Sequence, residues 1–152
     1  MKLSDVLRQK SPEVITIHQD KSIHDAIKVL VEHNIGALLV LDGKEKLVGI
    51  ISERDILRES AERDHLLRKT KVKDVMTKDL IIGLQDDKIG YTLSVMTKNR
   101  IRHLPIMDAE EKDKIVGIIS LGDAVKAQLD EQETDNRYLK QYMFGSVGGK
   151  IT

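Results

Sequence analysis

The pentapeptide VGIIS occurs twice, at residues 48–52 and again at 116–120, and each copy reaches an aspartate three residues past its serine: VGIISERD and VGIISLGD. Both runs are apolar and β-branched, which reads as a strand. The serine that ends each one stands where a helix opens. The duplication extends well beyond these junctions. With Val14 set on Leu80, the stretch 14–42 lies on 80–108 without a gap, and Ile15, Gln19, Asp20, Ile23, Val29, Ile35, Leu38 and Asp42 all meet identical residues. The turn GKEK after Asp42 is shorter than AEEKDK after Asp108, and beyond it Val48 falls on Val116. Two units of about 50 residues are indicated, and a duplication decides the fold before any single element does.

Within the first unit, residues 14–17 form a short β-branched run, expected as a strand. Ser22 precedes Ile23, Ala26, Ile27, Leu30 and Val31, apolar at i, i+3, i+4, i+7 and i+8. That spacing predicts an amphipathic helix, with Ser22 as its N-cap and Asp25 completing a capping box. Residues 38–41 read as a buried strand, Asp42-Gly43 as a turn, 47–51 as the next strand, and a helix follows with Ile56 and Leu57 on its apolar face. The second unit repeats the order: strand at 80–82, helix near 89–98, strands at 103–107 and 115–119, helix from Leu121. The expected fold is α+β, two β-α-β-β-α units over residues 3–65 and 71–129. The charged stretch 62–73 joins them, and a C-terminal helix with a flexible tail occupies 130–152. One such unit offers little more than one face of a three-stranded sheet, a marginal core. Two copies packed sheet to sheet about a pseudo-twofold axis would share one.

Composition narrows the function classes. The 152 residues are 40% hydrophobic but only 3% aromatic, so the core is aliphatic. Lys plus Arg number 25 and Asp plus Glu 25, so net charge gives no pull toward nucleic acid or an anionic membrane. With no cysteine there is neither a disulfide nor a thiolate nucleophile. No apolar run nears the roughly 20 residues that span a bilayer, and MKLSDVLRQK turns polar at once, unlike a secretory signal. The expectation is a cytoplasmic protein with no membrane or nucleic-acid partner.

The repeats also resemble a known family. Two β-α-β-β-α units each ending in G-I-I-S-x-x-D are similar to the tandem cystathionine-β-synthase (CBS) domain pair, or Bateman module. NIGALLVLDGKEKLVGIISERDIL resembles its first repeat, and DVMTKDL, RIRHLPIMD and VGIISLGDAV its second. The likeness covers about residues 3–129, close to the stand-alone members that carry no attached enzyme or transporter. It implies a regulatory module, not an enzyme. Such a module binds an adenosine-containing ligand (AMP, ADP, ATP, NAD or S-adenosylmethionine) in clefts between the repeats and signals through shape or assembly, as a homodimer with a downstream protein partner.

The chemistry of the junctions suits such a ligand. A helix N-terminus offers free N–H groups to phosphate, and an ionised aspartate is an acceptor able to hold both vicinal hydroxyls of a ribose. Ser52 with Asp55, and Ser120 with Asp123, are the candidate polar pairs. Ala37 and Leu38, and His103, Leu104 and Pro105, are candidate walls of adenine slots, with Thr16 or Ile82 from the first strand of each repeat. Arg54, Arg58, Arg100 and Arg102 are candidate phosphate contacts, since guanidinium binds phosphate bidentately; each reads equally well as a solvated charge. S-x-x-D is itself a capping box, and the two roles are compatible, because the serine caps while the aspartate turns to a ribose. His103 reads as a phosphate contact or, as a lone histidine, as a structural one. The copies differ: Gly36-Ala37 matches Arg102-His103, Arg54 matches Gly122, and Thr16 matches Ile82, so unequal clefts are expected.

The five histidines share no metal-ligand spacing. There is no P-loop and no dinucleotide-binding glycine motif, and no base stands beside Ser52 or Ser120 in sequence for hydrolase chemistry. No catalytic residue, metal or catalytic cofactor is expected. The other reading of the chain is an interaction scaffold whose clefts are vestigial and empty. The segment AVKAQLDEQETDNRYLKQYMF reads as a helix outrunning the repeat, with Tyr138 and Tyr142 available for a partner contact.

Overall fold

The computed structural model describes residues 1–10, 12–62 and 66–144, with side chains as far as Arg137. His65, the tail 145–152 and the side chains of Tyr138, Leu139, Tyr142 and Met143 lie outside the described residues. The chain begins with α1 (Leu3–Arg8), followed by β1 (Thr16–His18), α2 (Ile23–His33), β2 (Ala37–Leu41), β3 (Leu47–Ser52) and α3 (Glu53–Glu62). A 3₁₀ turn at Val72–Asp74 leads to β4 (Gly83–Leu84), α4 (Ile89–Lys98), β5 (His103–Met107), β6 (Ile115–Ser120) and α5 (Leu121–Phe144). The helix beyond the second repeat is therefore present and continuous with α5.

Each unit forms one three-stranded sheet, ordered β1-β2-β3 and β4-β5-β6, with one parallel and one antiparallel pairing. The likeness extends to a register shift after Val40 and another at the equivalent place, after Ile106. The capping box of α2 is formed as expected: Asp25 N–H donates to Ser22 Oγ at 3.1 Å, and Ser22 N–H to Asp25 Oδ2 at 3.3 Å. In the middle strands, residues 37–40 and 104–107 are all buried. Successive side chains of a strand point to opposite faces, so continuous burial requires cover on both. One face of each sheet packs into its repeat's own cluster, and Leu39 and Pro105, buried outside both clusters, lie on the other.

The first strands correct the expectation in both repeats. β1 starts two residues late, at Thr16, where pairing with Leu39 begins. The run 80–82 is not a strand, and only Gly83 and Leu84 pair, with Ile106 and Met107. Pro105 stands where the first repeat has Leu39. It has no N–H to donate, so the ladder stops short of Ile82.

The core consists of two aliphatic clusters, and each borrows a segment from the other half of the chain. Val72, ahead of the second repeat's first strand, is buried with Ile17, Ile23, Leu38 and Ile51 of the first repeat. Leu3 and Val6, ahead of the first repeat's first strand, are buried with Ile89, Leu104, Ile106 and Ile119 of the second repeat. The backbone bonds repeat this exchange. Val72 N–H donates to Lys21 O at 2.8 Å and Lys73 N–H to Gln19 O at 3.0 Å; Leu3 N–H donates to Asp87 O and Ser4 N–H to Gln85 O, both at 2.9 Å. Lys21 and Asp87 are equivalent positions of the two repeats, as are Gln19 and Gln85. The crossed segments tie the pseudo-twofold pair into one body.

Candidate functional site: two clefts between the repeats

The strand-to-helix junctions are built alike. At the head of α3, Ser52 N–H and Oγ–H donate to Asp55 Oδ2 at 3.0 and 3.1 Å, and Asp55 N–H donates to Ser52 Oγ at 3.2 Å. At the head of α5, Ser120 N–H donates to Asp123 Oδ2 at 2.9 Å and Asp123 N–H to Ser120 Oγ at 3.0 Å. The capping box is thus formed in both copies, and each carboxylate is half-buried beside the helix start.

Each junction also faces a cleft whose opposite wall belongs to the other repeat. Ser120 and Asp123 look across a cavity of about 460 Å³ at Val14, Ile15, Ile35, Gly36 and Ala37. Ser52 and Asp55 look across one of about 320 Å³ at Arg100, Ile101, Arg102 and His103. Both volumes fall within the roughly 300–1,000 Å³ of small-molecule sites. Nearby backbone bonds repeat as well: Glu53 N–H donates to Gly36 O at 3.0 Å and Leu121 N–H to Arg102 O at 2.7 Å.

Eight of the thirteen candidate ligand residues thus come together. Ala37, Ser120 and Asp123 line the first cleft; Ser52, Arg54, Asp55 and Arg102 line the second; His103 lines both. The other five line neither. Leu38 and Leu104 fill the two cores, Pro105 is buried in β5, Thr16 sits half-buried in β1, and Ile82 is 43% exposed. Arg58 and Arg100, named for phosphate, do line the second cleft.

Two groups that the sequence did not single out change the chemistry. Lys10 Nζ donates to Asp123 Oδ2 at 2.7 Å and to Ile118 O at 2.9 Å. Burial pushes the Asp123 carboxyl up, but the Lys10 ammonium and the bonds from Ser120 outweigh it and hold the group below the usual carboxylate range. Thr77 is the second: its hydroxyl reaches Asp55 Oδ1 at 3.4 Å, the edge of hydrogen-bond distance. The His103 imidazole is held below its ordinary value, mainly by burial. Glu53 and Asp123 act to raise it, Lys10 and Arg102 to lower it. Among the described residues no helix is long and apolar enough to cross a membrane.

Known proteins share this arrangement. The profile of the CBS domain matches residues 3–62 and 72–130. CBSX3, a mitochondrial CBS domain-containing protein of Arabidopsis thaliana, is 36% identical over 152 residues, spanning 94% of this chain and 72% of that protein. A solved protein with CBS domains from Burkholderia ambifaria MC40-6 superposes with a TM-score of 0.79 at 32% identity, covering 87% of this chain and 96% of that one. The CBS domain pair of protein MJ0100, solved in complex with 5′-methylthioadenosine and S-adenosyl-L-methionine, superposes with a TM-score of 0.73 at 29% identity, covering 86% and 98%. Two matched copies over most of its length, on a duplicated α+β frame, mean that the chain belongs to the CBS-domain family.

Proposed function

We propose that this protein is a regulatory sensor without catalysis of its own, which binds an adenosine-containing ligand in the clefts between its CBS repeats. The observation that carries this reading is the position of Asp55 and Asp123, each at a helix start and each facing the other repeat across a cleft. A ribose diol donates two hydrogen bonds to one carboxylate, which suits this position. The apolar wall of Val14, Ile15 and Ala37 suits an adenine face. The MJ0100 domain pair, of the same fold, was solved with two adenosyl compounds.

A ligand seated in either cleft touches both repeats, so it favours the arrangement of the two halves that it fits best. At 100 times its dissociation constant it stabilises that arrangement by about 2.7 kcal/mol, enough to bias a small rearrangement within the pair or between subunits. A homodimer is part of the reading, supported by Leu57 on α3 and Leu129 on α5, which are 69% and 59% exposed. A reducing compartment such as the cytoplasm fits a chain with no cysteine.

Calorimetric titration with AMP, ATP, NAD and S-adenosylmethionine tests the reading. At least one should bind, and Asp55→Asn and Asp123→Asn should each weaken one binding event while leaving the melting temperature within a few degrees. No heat and no thermal shift with any of the four would leave an interaction scaffold with empty clefts.

A further inference from the structure

The two clefts differ in unbalanced charge. In the Asp123 cleft the one lysine, Lys10, is already bonded to Asp123, and Glu13 adds a second carboxylate. In the Asp55 cleft, four guanidiniums, from Arg54, Arg58, Arg100 and Arg102, face two carboxylates, from Glu53 and Asp55. Among the described residues none of the four arginines is in an ion pair. Arg54 and Arg58 lie one turn apart on α3, a spacing at which like charges repel. Four such groups against two carboxylates leave the lining of this hollow of about 320 Å³ with an excess of positive charge, which favours an anion.

The backbone supplies a second, independent observation. Arg100 has φ 55°, in the left-handed region, just past the end of α4. Its counterpart in the first repeat, Asn34, has φ 51° and caps α2. Asparagine takes this conformation readily and arginine does not. The second repeat therefore carries a strained residue where its twin shows an easier one, and the strained side chain lines the cleft. Strain held at a cleft wall points to a functional demand on that side chain.

We propose that the Asp55 cleft is an oligophosphate site, selecting nucleoside di- and triphosphates over monophosphates and free nucleosides, with Arg100 as a specificity-determining contact to the phosphate chain. The proposal rests on the nucleotide reading above and assigns this cleft its ligand class. Arginine suits the task because its planar fork bonds two phosphate oxygens at once and stays charged. The free N–H groups at the head of α3 add to the same field.

The test is a titration of the whole chain with adenosine, AMP, ADP and ATP in magnesium-free buffer, repeated on Asp55→Asn to identify the event belonging to this cleft. Affinity at the Asp55-dependent site is expected to rise about tenfold with each added phosphate. Arg100→Asn places the first repeat's residue at the strained position. Its melting temperature is expected to equal or exceed that of the parent protein, while ATP binding weakens about tenfold and adenosine binding is unchanged. Equal affinities for adenosine and ATP, or an Arg100→Asn variant that binds ATP as before, would overturn the charge preference and leave the nucleotide reading standing. Failure of all four to bind would overturn this proposal, and failure of NAD and S-adenosylmethionine as well would overturn the nucleotide reading.

Discussion

Lys10 and Asp123 are 113 positions apart in sequence, yet Nζ and Oδ2 meet at 2.7 Å inside the first cleft. Among the described residues the equivalent carboxylate, Asp55, has no lysine on it, only the Ser52 cap and a distant Thr77 hydroxyl. Two junctions with the same sequence motif therefore present different acceptors. Asp55 Oδ1 carries only the long Thr77 contact, whereas the Asp123 carboxylate is engaged at Oδ2 by an internal cation whose charge a ligand has to displace or share.

The Lys10→Met variant measures that competition. The two side chains are 34% and 29% exposed, so the pair is part-screened and of modest strength. Removing the ammonium is expected to tighten adenosine or 5′-methylthioadenosine binding at the Asp123-dependent site about fivefold, the equivalent of about 1 kcal/mol. Weaker binding in Lys10→Met would show that Lys10 is a ligand contact and not a competitor.

The repeat, its helices and both S-x-x-D junctions were legible because their signals are local. A β-branched run followed closely by a serine and an aspartate suffices to place Ser52 and Asp55, and the same holds for Ser120 and Asp123. The clefts were legible only through duplication and family likeness. Lys10 carries no local sign of its partner, since the contact exists only once α1 has crossed to the second repeat. Leu38 and Leu104 sit on the correct strands, but strand alternation turns their side chains into the cores. The strand expected through Ile82 does not form, for a reason that was present in the sequence: a proline at 105, in the strand that would have paired with it.

The crossed packing makes a testable demand of Leu3. Although third in the chain, it is fully buried in the cluster of the second repeat. Leu3→Ala is expected to cost about 2–5 kcal/mol in urea unfolding. In native-state hydrogen exchange the loss of protection should appear first in β5, β6 and α4, not in β2 and β3. A loss confined to the first repeat would contradict the exchange of segments.

The crossed segments also explain two glycines in the repeated strands. A Cβ on Gly49 would lie 2.9 Å from Met76 Cγ and 3.0 Å from Thr77 O; on Gly117 it would lie 2.7 Å from Leu7 Cδ2. Leu7 presents the movable end of a side chain. Thr77 O is backbone, fixed by accepting the Ile50 N–H at 3.0 Å. Gly49→Ala is therefore expected to destabilise by about 1–3 kcal/mol and Gly117→Ala by less, measured by thermal or urea unfolding. Equal costs would mean that the backbone contact at Thr77 gives way as easily as a leucine methyl.

His103 lines both clefts, so its protonation bears on stability and on the charge between the repeats. Burial lowers its folded value below the ordinary 6.5, with Lys10 and Arg102 acting in the same direction against Glu53 and Asp123. Below 6.5 the unfolded chain takes up the proton before the folded one does, so stability is full above that pH and declines as pH falls through the folded value. Asp20, Asp25, Asp42, Asp108 and Asp123 all titrate below the usual carboxylate value. Their stabilising contribution is present above that value and is lost only in stronger acid. A comparison of melting temperatures at about pH 7.5 and 5.5 therefore stays above the range of these aspartates, and the His103→Gln variant assigns the histidine's share. The parent protein is expected to melt lower at the acid end, and His103→Gln to lose most of that difference. An unchanged difference in the variant would assign the proton to another group.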